Sequence, residues 1–396
     1  MNQSFHRLWV SQMCANFGDV LYIVGLIAIL YQEKNSPFLV SLLPVLNMAG
    51  YVVSSTLAPL LFNRYKLKAI LSFSQLFKTL ILGIFCIGLL QKVVLWEILL
   101  VIFLLTFLDG FAQPASSAMV PRLVGKQQVV RANGILSMIY QSSQLGGWAL
   151  GGVFVAVLGN QLVMALTFFL YAIASIALFC LEDTPLVSEQ QSHSKRGELT
   201  EGFCLIYHHP TLRSIQILSI LESVAGVVWI SAILYLFVSN NLQTSQSWWG
   251  YINAFFFAGL IIGGLLCTKN TVFIEKNFVM VLLVSSLMMA VSTFLFGLNQ
   301  IPWLALIFSG LVGVFSNLNQ ILLESYLQKN TAKAQLPKIY SAKVAIQALV
   351  FGGSTLIIGY LADFIAVYWL FVGSSIVLVG SFIYLYVVRK RFVTQK

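Results

Sequence analysis

Apolar segments of about twenty residues recur along almost the whole of this 396-residue chain. A bilayer core about 30 Å thick is crossed by roughly 20 apolar residues in an α-helix. The composition agrees with this reading, because 59% of the residues are hydrophobic and 9% are charged, with a mean hydropathy of +0.88. We therefore predict an all-α membrane protein with twelve transmembrane helices, at residues 8–31, 38–61, 69–90, 94–117, 131–156, 162–181, 213–238, 248–268, 277–297, 303–325, 339–361 and 367–388. The first of these spans is too long for the apolar core of a signal peptide, and we expect it to remain in the protein.

The longest polar interruption divides the spans six and six. We predict an N-terminal six-helix bundle at residues 1–181, a cytoplasmic linker at 182–212 and a C-terminal six-helix bundle at 213–396, with the bundles related by a pseudo-two-fold axis. Within the linker, apolar residues recur at helical spacing, which predicts an amphipathic helix lying on the membrane surface; they are Leu199, Phe203, Ile206 and Tyr207. An ordinary solvated linker is the alternative.

Basic residues indicate how the chain is oriented. With the N-terminus inside, 20 of the 23 Lys and Arg residues fall on the cytoplasmic side, whereas Lys34 and Lys92 fall outside and Lys78 lies within span 3. Short cytoplasmic loops retain Lys and Arg in this way. The pattern predicts the inner (cytoplasmic) membrane with both termini inside. It also explains the net charge of +10 as a topology signal with attraction to anionic lipid, so nucleic-acid binding is not required.

Four charged residues fall deep within predicted spans, where each is costly unless it faces a protein interior or a water-filled cavity. Asp19 lies in span 1, Lys78 in span 3, Asp109 in span 4 and Glu222 in span 7. They are our candidates for ion coupling. The alternative is structural pairing, with Lys78 as the buried partner of a neighbouring acid.

Motifs of enzymes and ATP-driven pumps are absent from the sequence. It contains no phosphate-cradling glycine loop, nucleophile elbow or paired cysteine motif. The five cysteines are scattered, and we expect free thiols. His208 and His209 are adjacent, so on a helix they point in different directions and are poorly placed to share a metal. We predict no cofactor and no metal site.

Glycines cluster in three predicted spans, where small residues favour close helix packing in lipid. We expect spans 5, 8 and 11 to form tight seams through Gly146, Gly147, Gly151 and Gly152, through Gly259, Gly263 and Gly264, and through Gly352, Gly353 and Gly359.

Two short motifs resemble those of the major facilitator superfamily. The stretch from Pro59 to Lys68 is similar to the loop motif Gly-x-Leu-Ala-Asp-Arg-x-Gly-Arg-Lys, with Arg64 and Lys68 matching and Asn63 in place of the acid. The resemblance assigns these three residues to a cytoplasmic gate. In span 5, the stretch from Gly147 to Gly152 resembles the antiporter motif Gly-Pro-x-x-Gly-Gly, with Gly147, Gly151 and Gly152 matching and Trp148 in place of proline.

Further stretches resemble the drug-efflux branch of this superfamily, which includes macrolide exporters and the enterobactin (siderophore) exporter. They are Asp109-Gly110-Phe111 with Pro114 and Pro121-Arg122, Arg131-Ala132-Asn133-Gly134, and Glu201-Gly202-Phe203 with His209-Pro210.

In that family, spans 1, 4, 7 and 10 line a central cavity. The resemblance thus implies that Asp19, Asp109 and Glu222 face the cavity, along with polar groups of span 10: Asn317, Asn319 and Gln320. Protonation removes the cost of a buried charge, so such an acid can couple proton binding to a change of state.

The expected function is proton-coupled efflux of a small amphipathic compound, a drug-like molecule or a siderophore, by a monomeric antiporter using alternating access. Uptake by the same fold, for instance of an iron-siderophore complex, remains an alternative because sequence does not determine the direction of flux. A membrane enzyme or a non-transporting receptor is a remote alternative.

Overall fold

Nearly all of the computed structural model is α-helical, as a chain in lipid requires, because backbone N–H and C=O groups must be satisfied within each segment. It describes residues 3–34, 37–88, 95–182, 195–229 and 231–392. The helices are α1 Gln3–Lys34, α2 Pro37–Phe62, α3 Leu67–Gly88, α4 Leu95–Leu123, α5 Val129–Phe179, α6 Lys195–His208, α7 Pro210–Gly226, α8 Ser231–Asn240, α9 Ser247–Lys269, α10 Thr271–Lys276, α11 Phe278–Leu298, α12 Pro302–Asn330, α13 Leu336–Ala362 and α14 Val367–Val388.

The predicted spans agree with these helices to within a few residues, except that several helices extend further at their ends. Ten of the described helices are long and apolar enough to cross a membrane, and the described part of α2, Leu46–Phe62, is a shorter apolar helix. The long α5 contains two crossings, which meet at Gly159 with φ 78°. The fold is the expected all-α architecture of twelve transmembrane helices.

Span 7 is not one continuous helix. It ends as an α-helix at Gly226, continues as a 3₁₀ turn at Val227–Trp229 and resumes in α8 at Ser231. Interruptions of this kind occur at membrane depth only where protein or water satisfies the freed backbone groups. Here Ser374 of α14 donates a hydrogen bond of 2.7 Å to the carbonyl of Ala225.

Two compact units make up the chain. The first comprises Met1–Lys126, Ile139–Phe203 and Thr331–Ala345, and the second comprises Gln127–Met138, Cys204–Asn330 and Ile346–Lys396. In this division, the start of α5 (Gln127–Met138) belongs to the second unit and the start of α13 (up to Ala345) to the first. Residues 183–194 of the predicted linker, and Lys92, lie outside the described residues, as does the side chain of Lys34.

The first unit is built around α4, which packs against both α2 and α3. Its apolar core includes Tyr22, Leu26, Leu82, Leu105 and Met164, all essentially inaccessible to solvent.

In the second unit, α9 packs closely on α12 through glycine. A Cβ built on Gly263 would lie 2.6 Å from the carbonyl oxygen of Val314, so only glycine allows this approach. Gly259, Gly263 and Gly264 of span 8 form a seam as predicted, and so do Gly147 and Gly151 of span 5, whereas Gly152 does not. In span 11, Gly353 and Gly359 of α13 face open space and do not form the predicted seam.

The linker helix α6 packs against protein along part of its length, which differs from a helix lying only on the membrane surface. Lys338, near the start of α13, donates a hydrogen bond of 2.7 Å to Glu201, and Gly202 lies tightly against the carbonyl group of Lys338. Of the four predicted apolar residues, Ile206 is buried and Tyr207 is exposed. The contact between Gly202 and Lys338 is possible because glycine has no Cβ.

Candidate functional site

Lys78 joins two acids inside the first unit. Its Nζ donates hydrogen bonds of 2.7 Å to Oδ1 of Asp19 and 2.6 Å to Oδ1 of Asp109. The lysine side chain is 1% exposed, whereas the Asp19 and Asp109 side chains are 28% and 24% exposed. The ammonium group is thus sealed inside the unit while both carboxylates remain accessible. We call Asp19, Lys78 and Asp109 the charged triad.

A tyrosine completes the surroundings of Asp19. Tyr171, in the second half of α5, donates a hydrogen bond of 2.5 Å to the same Asp19 oxygen. Its ring also lies 4.8 Å from Nζ of Lys78, within the range of a cation–π interaction. A Cβ on Gly18 would lie 2.7 Å from the Tyr171 ring, so glycine before Asp19 leaves the space that this tyrosine needs.

Asp109 is positioned by a close contact between α2 and α4. The next residue, Gly110, lies against Ser54 and the carbonyl of Tyr51, and a Cβ there would be 2.9 Å from that carbonyl oxygen. The Asp-Gly pair in the sequence therefore has a packing reason: the glycine brings α4 onto α2 and sets the depth of the preceding acid.

The triad carries one positive and two negative charges, so one bound proton would make it neutral. Lys78 can keep one strong ion pair while the other carboxylate is protonated. Both carboxylates of the triad are partly uncovered by protein. Among the described residues, no group of three His, Cys, Asp or Glu side chains could hold a metal ion.

Glu222 is not part of this triad. It lies on α7 in the second unit, one turn before the helix interruption, and accepts a hydrogen bond from Nδ2 of Asn319. Asn319 is 1% exposed, while Gln320 beside it is exposed.

Asn317 has a different environment from the cavity position that the resemblance implies. Its Oδ1 accepts a hydrogen bond of 2.7 Å from Ser137, and its Nδ2 donates to the carbonyl of Leu260. The side chain is fully buried beside Gly263 in the α9–α12 seam. Both ends of the amide are thus used in helix packing.

The loop motif forms a tight turn between α2 and α3. The amide of Asn63 donates to the carbonyl of Pro59 at 3.3 Å, and that of Arg64 donates to Leu61 at 3.0 Å. Within the described part of the chain, the ion pairs include neither Arg64 nor Lys68.

In the span 5 motif, two glycines face α1. A Cβ on Gly147 would lie 2.6 Å from Cβ of Val20, and one on Gly151 would lie 3.0 Å from Val24. Gly152 faces open space.

A separate cavity of about 530 Å³ lies in the second unit, between the end of α8 and the start of α14. Its polar lining includes Asn240, Asn241, Gln243 and Gln300, and it contains no charged side chain. It lacks the groups needed for ion exchange.

Sequence reasoning did not identify Tyr171. One tyrosine within an apolar span has no pattern that indicates its function, and its link to Asp19 spans 152 positions of the chain. The only local signal was Gly18 beside Asp19, which marks a close approach by another group.

The fold is that of a multi-pass α-helical membrane protein. The sequence model of the Major Facilitator Superfamily matches residues 8–277. The chain belongs to the major facilitator superfamily, and it is a transporter rather than an enzyme.

Relatives by sequence are bacterial transporters. The chain is 29% identical over 391 residues to the uncharacterized MFS-type transporter YfmI of Bacillus subtilis (strain 168), covering 97% of this chain and 96% of that protein. It is 29% identical over 266 residues to the enterobactin exporter EntS of Escherichia coli O1:K1 / APEC, covering 65% of this chain and 62% of EntS.

Solved structures share the fold at low sequence identity. The fucose:proton symporter FucP of E. coli aligns over 99% of this chain and 98% of its own, with a TM-score of 0.79 and 14% identity. A bacterial homologue of the iron transporter ferroportin, in an outward-facing state, aligns over 98% and 100% with a TM-score of 0.78 and 11% identity.

Proposed function

We propose that this protein is a proton-coupled exporter of a small amphipathic compound, acting as a monomer in the cytoplasmic membrane with both termini inside. The observation that carries this proposal is the charged triad, in which one buried ammonium group serves two accessible carboxylates. A purely structural ion pair would need one acid. The second acid leaves the triad with a net charge of −1 that a single proton neutralises.

Proton binding changes which carboxylate forms the stronger ion pair with Lys78. When Asp109 or Asp19 is protonated, the ammonium pairs with the remaining carboxylate, and the protonated acid no longer holds α4 or α1 to α3 by charge. Because a charged group at membrane depth is costly without a partner or water, protonation favours a state in which that acid is more enclosed. Release of the proton reverses this preference and completes the cycle.

Substrate export is supported by the partial likeness to the enterobactin exporter and by the glycines of the span 5 motif. Gly147 and Gly151 give α5 a close contact with α1, the helix that carries Asp19. A conformational change at Asp19 is thereby linked mechanically to α5. Glu222 with Asn319 supplies a polar anchor for substrate in the second unit.

The test is flux in sealed vesicles with and without an imposed pH gradient, using two probes, the amphipathic dye Hoechst 33342 and enterobactin. Asp19→Asn and Asp109→Asn each mimic a protonated acid that cannot release its proton. We expect both variants to lose gradient-driven accumulation in inverted vesicles and to keep downhill exchange. Glu275→Gln is the matched control, because it removes a carboxylate from the ion pair with Lys329 outside the triad.

Three outcomes would reject this function. Wild-type rates of uphill transport in both triad variants would show that the acids are structural. Accumulation in right-side-out vesicles instead of inverted ones would establish uptake. A wild-type protein that moves neither probe would exclude the proposed substrate class.

A further inference from the structure

Three side chains form a hydrogen-bonded row along α5 that the proposed coupling step does not use. Nε1 of Trp148 donates to Oε1 of Gln144 at 3.2 Å, and Nε2 of Gln144 donates to the hydroxyl oxygen of Tyr140 at 3.0 Å. The spacing of four residues places all three on one stripe of the helix. We call Tyr140, Gln144 and Trp148 the α5 ladder.

The direction of these hydrogen bonds is determined by chemistry. The indole N–H of Trp148 can only donate, so it must meet the amide oxygen of Gln144. The NH₂ group of that amide then faces Tyr140, whose oxygen accepts. The hydroxyl hydrogen of Tyr140 is therefore left for another acceptor.

Neighbouring helices leave two side chains of the ladder exposed. Tyr140 is 44% exposed and Trp148 is 49% exposed. The adjacent stripe of α5 packs against α1, where Gly147 meets Val20. The ladder thus lies at the edge of the α1–α5 seam.

Asp19 of the triad is close by. It immediately precedes Val20, the residue that touches Gly147. The ladder and the triad therefore belong to the same region of the first unit.

The depth of the ladder in the membrane indicates that its exposed side does not face lipid. The first crossing of α5 begins at Val129 and ends near Gly159, so Gln144 lies at its middle. Tyrosine and tryptophan at lipid-facing positions concentrate at the membrane interfaces, and an amide at mid-depth favours water or a polar ligand.

We propose that the α5 ladder binds the substrate, and that the substrate carries a planar aromatic ring with an oxygen acceptor. The ring stacks on the exposed face of Trp148, and the acceptor takes the hydrogen bond offered by Tyr140. Gln144 holds both aromatic side chains in position. The inference rests on the proposed transport function and specifies its substrate class.

The experiment measures equilibrium binding to the purified full chain in nanodiscs, at one pH and without any gradient. The probe is a neutral fluorescent coumarin dye followed by anisotropy, with unlabelled coumarin and its saturated analogue octahydrocoumarin as competitors. We expect coumarin to displace the dye and octahydrocoumarin to fail, because only the former has an aromatic ring. Trp148→Leu should weaken dye binding about tenfold, and Tyr140→Phe, which keeps the ring, about fivefold.

Trp96→Leu is the matched control, since Trp96 is a 75% exposed tryptophan on α4 of the same unit. It should leave the affinity unchanged. Lack of saturable binding to the wild type would overturn the inference, as would equal affinity in wild type, Trp148→Leu and Tyr140→Phe. No gradient is applied in this binding experiment, so a failure of proton coupling would not produce either result. The flux experiment tests the proposed function separately.

Discussion

At the scale of single residues, the buried charge of Lys78 needs partners of opposite charge within the first unit. Its ammonium group is almost fully buried and is bonded to both Asp19 and Asp109. Removing one partner from a buried ion cluster leaves unpaired charge and is more damaging than removing the entire cluster. The triad can therefore be tested by comparing partial with complete removal.

We expect Lys78→Met to destabilise the protein by about 3 kcal/mol, because two carboxylates would then face each other without a cation. Adding Asp19→Asn and Asp109→Asn to the same chain should recover much of this loss. The measurement is thermal unfolding of the purified protein in detergent, followed by intrinsic fluorescence.

Lys329→Met is the control for that comparison. Lys329 is 20% exposed where Lys78 is 1% exposed, and its removal leaves one carboxylate, Glu275, instead of two that face each other. The cost should stay below about 1 kcal/mol. If the triple variant were less stable than Lys78→Met alone, the charge-balance argument would be wrong.

At the scale of helices, the span 5 motif offers a comparison between two glycines of one helix. Alanine in place of either glycine should favour the helical state by about 1 kcal/mol through backbone propensity alone. At Gly147, however, the added methyl group meets Val20 of α1, a stiff β-branched side chain, whereas at Gly152 it meets open space.

We therefore expect Gly147→Ala to lower the melting temperature and Gly152→Ala to leave it unchanged or raise it. Adding Val20→Ala to Gly147→Ala should restore part of the stability by making room for the methyl group. Thermal unfolding measures all four proteins. Equal effects of the two glycine variants would mean that α5 does not depend on its contact with α1.

At the scale of the whole molecule, the distribution of basic residues predicts which loops face the cytoplasm. Single cysteines can replace Lys66, Lys126 and Gln300, all of which are exposed, after the five native cysteines are changed to serine. In intact cells, an impermeant thiol reagent should label the cysteine at 300 and spare those at 66 and 126. Permeabilised cells provide the control, because all three positions should then react. The reverse pattern in intact cells would overturn the proposed orientation.

Sequence alone determined the helices and the candidate charges. The bilayer sets the length of an apolar crossing, so span boundaries were readable from local composition. Asp19, Lys78, Asp109 and Glu222 stood out because charge at membrane depth is rare and costly.

Tertiary structure alone decided which of those charges meet. Asp19, Lys78 and Asp109 lie on three different helices, and their contact depends on how closely those helices approach each other. Glu222 has the same chemistry but is paired with Asn319 in the second unit. Tyr171 acquired a role only because Gly18 left space for its ring. Hydropathy reports the average environment of each segment, whereas side-chain pairing depends on contacts between segments far apart in the chain, which local composition does not encode.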